Sequence, residues 1–354
     1  MKKIVLTGGG TAGHVTPNIA LIPALKSHDY DIHYIGSFKG IERSLIADED
    51  LPYYAISTGR FRRYFDVKNF SDPFRVIKGY NDAKKILKNL KPDVVFSKGG
   101  FVSVPVIRAA ASLKIPCVIH ESDMTPGLAN KLCFPVATKI CCNFNETYSL
   151  LPANKAIMTG TPIRPEIFEG DKELARKLCN FNSALPVITV MGGSLGSRAI
   201  NKYIRASLPT LLKNYQVIHL CGKGGLDNLL LNTTGYKQFE YVKEELKDIM
   251  ALTDIVVSRA GANAICELLA LKKPNILIPL PSSSSRGDQL LNASSFEKQG
   301  YSIVINEDYL TTKKLVDSID ELYLNKDKFI ANMEASETFN SIDTIIKILQ
   351  DVQL

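Results

Sequence analysis

The chain lacks any apolar run of the roughly 18–20 residues needed to span a bilayer. Its first residues, Met1–Leu6, have the pattern of a short strand that runs into glycines. A signal peptide would need a longer apolar segment and a cleavage site. We therefore expect a cytoplasmic protein.

Paired cysteines are also missing. The chain has seven cysteines, an odd number, and none of them form a C-x-x-C spacing. Disulfide frameworks and zinc sites usually show an even number or such a spacing, so this pattern argues against both. We expect buried, reduced thiols.

Charge is distributed unevenly along the 354 residues. Residues 1–162 hold 21 Lys and Arg against 13 Asp and Glu, a net charge of +8, whereas residues 163–354 have a net charge of −1. A basic half indicates an anionic partner: a membrane surface, a nucleic acid or a phosphorylated substrate.

Short β-rich runs alternate with helical patterns throughout, which is typical of parallel βαβ units. The prolines of the segment 159–165 interrupt this pattern, which then restarts. We predict two Rossmann-like doubly wound parallel-sheet domains of the α/β class, residues 1–162 and 163–339, facing across a cleft. A last helix, residues 340–354, is free to cross back to the first domain. Twelve strands are predicted, at 3–6, 31–35, 53–57, 94–97, 117–120, 139–143, 187–191, 217–220, 238–242, 255–258, 275–279 and 302–305.

Three glycine turns follow predicted strands, at residues 8–13, 97–101 and 192–196. Such turns let the backbone approach a ligand, and free N–H groups at the next helix favour anions. Residues 8–13 also satisfy G-x-G-x-x-G, the fingerprint of dinucleotide-binding domains. A nicotinamide site expects an acidic residue at the end of the second strand, where this chain reads Ile35-Gly36-Ser37.

Polar residues end several other strands. His120 and Glu121 could bind sugar hydroxyls or accept a proton, or could be ordinary hydrogen-bonded groups. Glu267, just after the strand at 255–258, is placed to accept ribose hydroxyls, or lies on a solvated helix face. Asp288 and Gln289 offer polar groups to a hexose, although Asp288 could simply cap a helix.

Aromatic and basic residues mix in the segment 61–80. Its cations include Arg62, Arg63, Arg75 and Lys78. Such a surface suits anionic lipid headgroups. It could also bind RNA, or be core and solvated charge.

Together these motifs resemble the MurG family of glycosyltransferases. The resemblance rests on residues 8–14, 97–101, 120–121, 160–164, 192–196 and 258–262, in order and at suitable spacing. It implies a GT-B fold and inverting transfer of N-acetylglucosamine from its UDP conjugate. The implied acceptor is the muramyl 4-hydroxyl of undecaprenyl-pyrophosphoryl-MurNAc-pentapeptide (lipid I), and the product is lipid II for peptidoglycan.

The resemblance also implies roles for residues. Those that would bind the donor are Thr11, Ala12, Gly13, Arg164, Ser194, Val242, Ala262, Asn263, Glu267 and Gln289. Gly99 and Gly100, with the cations of segment 61–80, would serve the acceptor and the membrane. Asp123 stands where family members often have Asn, and Asp288 where they often have Gln, which leaves the roles of these two positions open.

The muramyl hydroxyl is a poor nucleophile and needs a base, for which His14 is the first candidate and Glu121 the second. Helix N-termini and Arg164 can stabilise the leaving UDP without a metal. No D-x-D ligand pair ends a predicted strand, and we expect no metal and no cofactor. The expected partners are the UDP-sugar, lipid I and the anionic inner leaflet, with no nucleic acid.

Three other functions stay open on the residues alone. A UDP-N-acetylglucosamine 2-epimerase would share the fold and the donor. An NAD-dependent oxidoreductase would rest on the turn at 8–13 only. A non-catalytic protein would bind the sugar nucleotide or the lipid without turnover.

Overall fold

A computed structural model describes residues 1–59, 68–193, 196–283, 287–336 and 341–353, apart from the side chains of 68–73. The contacts divide the chain into two compact units, residues 1–164 with 338–354, and residues 165–337. None of the described helices has both the length and the apolar composition that crossing a membrane requires.

The first unit is built on a parallel sheet of seven strands, in the order β3-β2-β1-β4-β5-β6-β7. The strands are β1 (Lys2–Thr7), β2 (Tyr30–Ser37), β3 (Tyr53–Ile56), β4 (Val94–Ser97), β5 (Cys117–Glu121), β6 (Lys139–Cys142) and β7 (Ala156–Met158). Its helices are α1 (Thr16–Ser27), α2 (Ile41–Ala47), α3 (Lys68–Leu90), α4 (Ser103–Ser112), α5 (Leu128–Cys133) and α6 (Asn145–Tyr148). Apolar clusters cover both faces of this sheet, which explains why its central strands are continuous apolar runs.

The second unit contains a parallel sheet of six strands, in the order β10-β9-β8-β11-β12-β13. The strands are β8 (Val187–Met191), β9 (Gln216–Leu220), β10 (Tyr236–Phe239), β11 (Ile255–Ser258), β12 (Asn275–Leu277) and β13 (Ser302–Val304). Its helices are α7 (Lys172–Cys179), α8 (Arg198–Leu211), α9 (Glu245–Leu252), α10 (Ala262–Ala270), α11 (Asp288–Lys298), α12 (Thr312–Leu324) and α13 (Lys326–Glu334).

The last helix, α14 (Ser341–Asp351), packs on the first unit. Ile345 and Leu349 are fully buried in the cluster that also holds Leu21 of α1 and Ile4 of β1. The chain therefore ends on the unit in which it began.

In each sheet the strand order changes direction between two neighbouring strands, which are β1 and β4 in the first sheet and β8 and β11 in the second. Ligands of open parallel sheets bind beyond the carboxyl ends of the strands at this switch point. The glycine turns after β1, β4 and β8 lie at these edges. The two parallel-sheet α/β domains of the sequence prediction are confirmed.

Candidate active site residues in each unit

The first glycine turn, after β1, is crowded by its neighbours. A Cβ on Gly8 would lie 2.4 Å from the carbonyl oxygen of His14, and one on Gly10 would lie 2.5 Å from the ring of Phe101. Only glycine lets the chain pass so close to these groups. The turn therefore fits tightly against its own unit.

A buried carboxylate that the sequence does not predict secures this turn. Glu42, in α2, is 0% exposed. Its Oε2 accepts the N–H of Gly10 (3.2 Å), and its Oε1 accepts the N–H of Ser37 (3.0 Å) and the Ser37 hydroxyl. Glu42 thus links the first glycine turn to the end of β2.

His14 lies in a short 3₁₀ turn, residues 12–14, immediately before α1. Its Nδ1 is 3.0 Å from the hydroxyl oxygen of Thr11, which orients the imidazole ring. The Asn18 amide donates to the carbonyl oxygens of Thr7 (3.1 Å) and His14 (3.5 Å). The Tyr34 hydroxyl donates to the carbonyl oxygen of Gly8 (2.8 Å). Buried groups therefore hold both ends of the segment that carries His14.

The second glycine turn packs directly on the first. Gly100 has φ +84°, and a Cβ there would lie 2.1 Å from the carbonyl oxygen of Gly9 and 3.2 Å from Nδ1 of His14. Strand β4 pairs with β1, so the two turns leave the same edge of the sheet side by side. The structure thus brings together Thr11, His14 and Gly100.

His120, at the end of β5, is fully buried. Its Nε2–H donates to the carbonyl oxygen of Gly160 (2.7 Å), and its Nδ1 lies 2.8 Å from Nζ of Lys98. Burial, followed by the charge of Lys98, holds the pKa of His120 well below its usual value. The imidazole is therefore neutral and accepts a hydrogen bond from Lys98.

Glu121 is buried and hydrogen-bonded by three N–H groups. Its Oε1 accepts the N–H of Asp123 (3.1 Å), and its Oε2 accepts the N–H of Gly127 (2.9 Å) and the amide of Asn130 (2.9 Å). Burial raises the pKa of Glu121, and these hydrogen bonds oppose the rise. A Cβ on Gly99 would lie 3.1 Å from the Asn130 amide, so Glu121 is one side chain away from the second glycine turn.

Helix α3 exposes apolar and basic side chains next to each other. Phe74 is 74% exposed and Ile77 60% exposed, and Arg75 and Lys78 are exposed beside them. The predicted cations Arg62 and Arg63 lie outside the described residues.

The second unit repeats the strand, glycine turn and helix at β8 and α8. The Ser197 hydroxyl caps α8 by accepting the N–H of Ile200 (3.3 Å). A Cβ on Gly196 would lie 2.2 Å from the carbonyl oxygen of Cys221, which brings the turn against the loop after β9. Ser194, a predicted diphosphate ligand, lies outside the described residues.

Arg259 joins three loops at the carboxyl edge of the second sheet. It is 8% exposed. It donates to the carbonyl oxygens of Ile278 (3.0 Å) and Pro279 (3.3 Å) and to the Ser197 hydroxyl (2.6 Å). Its Nη2 also lies 2.5 Å from Oε2 of Glu307. In the sequence Arg259 stands out only as part of the motif at 258–262, because its hydrogen-bond partners are 19 to 62 residues away.

Helix α10 begins at Ala262, three residues after this arginine. Ala262 is buried in its first turn, while Asn263 and Glu267 are half-buried. The α10 macrodipole places partial positive charge at Gly261, which suits an anion. The Asn292 amide donates to the carbonyl oxygen of Ala260 (3.3 Å) and fixes the approach to the helix.

Gln289, in the first turn of α11, is oriented by the backbone. Its Oε1 accepts the N–H of Leu280 (3.0 Å). Val242 is buried in the apolar cluster with Ile249 and Ile218. Strand β10 ends at Phe239, so Val242 lies in the loop beyond it rather than at the strand end that the sequence predicts. Arg164, half-buried, is the last residue of the first unit before the chain passes to the second.

A buried polar network, also absent from the sequence prediction, supports the start of α8. His219 Nε2 is 2.9 Å from Oδ1 of Asn201, and its Nδ1 is 2.8 Å from the Tyr236 hydroxyl. The Asn201 amide donates to the carbonyl oxygen of Cys221 (2.9 Å). Burial, then the charge of Arg205, lowers the pKa of His219 to about 3. The network ties α8 to the end of β9.

The glycines of the second unit differ from those of the first in the space beside them. For Gly193, Gly261 and Gly287, no atom of the described residues lies within 4 Å of the Cβ position. These glycines follow β8, β11 and β12 and lie at the carboxyl edge of the sheet. The described residues therefore leave space beside the backbone at these three positions.

Two family models match this chain, one in its first half and one in its second half. The glycosyltransferase family 28 N-terminal domain matches residues 4–142, and the glycosyltransferase family 28 C-terminal domain matches residues 187–347. Together they cover most of the sequence.

Individual relatives agree with these models. The chain is 58% identical over 354 residues, all of both chains, to a protein of Lachnoclostridium phytofermentans. That relative is the UDP-N-acetylglucosamine–N-acetylmuramyl-(pentapeptide) pyrophosphoryl-undecaprenol N-acetylglucosamine transferase. Among solved structures, MurG of Acinetobacter baumannii is similar with a TM-score of 0.78 at 22% identity, covering 99% of this chain and 100% of that one. The UDP-GlcNAc 2-epimerase of Neisseria meningitidis shares the fold with a TM-score of 0.71 at 12% identity, covering 99% and 100%.

Proposed function

Because the chain belongs to glycosyltransferase family 28, we propose that it transfers N-acetylglucosamine from UDP-N-acetylglucosamine to lipid I. The acceptor is the muramyl 4-hydroxyl of undecaprenyl-pyrophosphoryl-MurNAc-pentapeptide, and the product is lipid II for peptidoglycan synthesis. The observation that carries this function is the 58% identity, over the full length, to a relative of that activity. The fold is GT-B, and the enzyme is a hexosyltransferase.

The second unit is the proposed donor site. The space that the described residues leave beside Gly193, Gly261 and Gly287 supports it, since a diphosphate could approach the backbone there. The N-terminus of α10 supplies partial positive charge to the leaving UDP, with Arg164 and Ser194 as further proposed ligands. Asn263 and Glu267 would hold the ribose and phosphates, Val242 would lie by the uracil, and Gln289 would bind the sugar hydroxyls.

The first unit is the proposed acceptor site, with His14 as the base. The muramyl oxygen attacks C1 of N-acetylglucosamine with inversion, the bond from C1 to the β-phosphate oxygen breaks, and the proton passes to the imidazole. The fixed orientation of His14 by Thr11 supports this role. Glu121 is the second candidate, and its three N–H donors favour His14 over it. Thr11, Ala12 and Gly13 would face the donor sugar, and Gly99 and Gly100 the acceptor.

We propose that the enzyme works at the cytoplasmic face of the membrane as a peripheral protein. The acceptor is anchored in a lipid, and α3 exposes Phe74 and Ile77 beside Arg75 and Lys78. Rings and aliphatic chains can enter the headgroup layer while cations pair with anionic lipids. This arrangement favours a lipid surface over a nucleic acid.

Transfer of radiolabelled N-acetylglucosamine from UDP to a lipid-extractable product tests the function. We expect transfer by the wild-type chain and loss of transfer in His14→Ala, with binding of the UDP-sugar retained. His28→Ala, an exposed histidine at the end of α1, is the matched control and should transfer normally. Absence of labelled lipid product from the wild type would reject the proposal.

Two further readouts separate the rival functions. Release of an epimerised sugar without lipid acceptor would indicate a 2-epimerase. Thermal protection by NAD and not by UDP-sugars would indicate an oxidoreductase, since a ligand stabilises only the fold that binds it.

Membrane binding has its own test. We expect Phe74→Ser with Ile77→Ser to reduce sedimentation with vesicles containing anionic lipid about ten-fold, because two exposed apolar side chains are lost. Leu229→Ser, at a side chain 94% exposed in the second unit, is the control. Equal sedimentation of the double variant and the wild type would refute the role of α3.

A further inference from the structure

Lys98 is a lysine buried inside the first unit. It directly precedes the Gly99–Gly100 turn and is 1% exposed. Its Nζ lies 2.8 Å from Nδ1 of His120 and donates to the hydroxyl oxygen of Thr161 (3.3 Å). A lysine is rarely buried so fully unless its ammonium group is paired or hydrogen-bonded.

These contacts join three segments. The backbone N–H of Lys98 donates to the carbonyl oxygen of Thr7 (3.1 Å), which ties it to the edge of β1 and β4. His120, at the end of β5, donates in turn to the carbonyl oxygen of Gly160 (2.7 Å). Thr161 lies three residues before Arg164, where the first unit ends. One side chain therefore connects the second glycine turn, strand β5 and the segment 159–164.

The charge of Lys98 reaches its surroundings. It contributes to the lowered pKa of His120, after burial, and opposes the rise in the pKa of Cys141 that burial causes. A positive charge in a low-dielectric interior is weakly screened and favours an anion at a nearby turn.

We propose that Lys98 is a positioning residue for the acceptor: it holds the Gly99–Gly100 turn against the segment 159–161 and favours binding of a pyrophosphate at that turn. The side chain is too buried to touch the acceptor, so it acts through the turn and through its charge. This inference rests on the proposed transfer to a pyrophosphoryl acceptor.

Lys98→Met removes the charge and the hydrogen bonds but keeps an unbranched side chain. We expect the KM for lipid I to rise about ten-fold, the factor that ~1.4 kcal/mol represents. The kcat and the Kd for UDP-N-acetylglucosamine should stay within about two-fold, because the proposed donor site lies in the second unit.

The control is Lys155→Met. Lys155 precedes β7 at the opposite, amino edge of the sheet, and its Nζ donates to the carbonyl oxygens of Phe134 (3.2 Å) and Pro135 (2.9 Å). This variant loses comparable hydrogen bonds away from the turn, so its KM for lipid I should not change.

Thr161→Val provides a second variant should Lys98→Met not fold. It removes one acceptor of Lys98 with little change in shape, and we expect about a three-fold rise in the KM for lipid I. An unchanged KM in a folded Lys98→Met and in Thr161→Val overturns the inference, as does a fall in kcat alone. No transfer by the wild type would overturn the proposed function itself, so the two failures are told apart.

Discussion

Substitution of Gly100 by Ala tests whether the two glycine turns of the first unit form one structure. The new Cβ would lie 2.1 Å from the carbonyl oxygen of Gly9. Real Cβ atoms essentially never approach another heavy atom closer than 3.0 Å. One of the two turns must therefore move away from the other by about 0.9 Å, the difference between these two distances. Nδ1 of His14 would lie 3.2 Å from the new methyl group, so a shift of either turn would change the surroundings of His14.

Two effects add in this variant. Placing alanine at φ +84° costs about 1–2 kcal/mol. The steric overlap adds about 1–3 kcal/mol, as overpacking usually does. We expect the free energy of unfolding to fall by about 2–5 kcal/mol. A displacement near 1 Å at a catalytic group can reduce the rate about 100-fold, so kcat/KM for transfer should fall by about that factor.

Gly224→Ala is the matched control, because it has a similar φ of +69° and no atom of the described residues lies near its Cβ position. It should lose only about 1–2 kcal/mol, and transfer should be unaffected. Urea unfolding followed by circular dichroism gives both stabilities, and the lipid-extraction assay gives the rates. Equal stability of the two variants, with transfer by Gly100→Ala within three-fold of the wild type, would refute the packing of the turns on each other.

Two other buried groups give predictions of their own. Glu42→Gln should lower kcat/KM about ten-fold in the transfer assay, since an amide NH₂ would face one of the N–H or O–H donors that the carboxylate accepts. Glu166→Gln, at an exposed residue, is its control, and equal rates would contradict the role of Glu42. For His219, the pKa of about 3 in the folded state lies below the ordinary value of 6.5. As the pH falls below 6.5 the unfolded chain is protonated first, so the free energy of unfolding decreases. From pH 7 to 5, wild type should lose about 2 kcal/mol more than His219→Gln in urea unfolding, and parallel losses would contradict the buried neutral imidazole.

The sequence predicted most of the fold because the strands of a parallel sheet, covered on both faces, read as apolar runs. Among the described residues, twelve of the thirteen strands overlap a run that the sequence predicts. The missing one, β7, has only three residues, Ala156–Met158, all half-buried at the edge of the sheet. A strand so short and so partly covered has no periodicity to recognise. The predicted end of β10, at Val242, was wrong because this apolar residue lies beyond the strand and is buried in an apolar cluster instead of in the sheet.

The candidate site was predictable where its signal is local. Glycine turns directly after apolar strands locate the edge of the sheet, and they place His14 and Gly100 there. Glu42 carried no such signal. It lies in a helix 32 residues from Gly10, and only the folded sheet brings its carboxylate to the turn. A nicotinamide site expects an acid at the end of β2, where this chain has Ser37, whereas in the structure a carboxylate reaches that point from α2.

The two units carry similar glycine motifs, but the described residues leave different amounts of space around them. In the first unit, Gly8, Gly10 and Gly100 are packed against backbone or rings, and the N–H of Gly10 is bound by Glu42. A nucleotide ribose held at the end of β2 would compete with that carboxylate. The glycines of the G-x-G-x-x-G motif therefore serve internal packing of the first unit. In the second unit, Gly193, Gly261 and Gly287 face open space among the described residues. Among the described residues, backbone with space beside it is therefore found after β8, β11 and β12. This difference supports the proposed nucleotide site in the second unit over a dinucleotide site in the first.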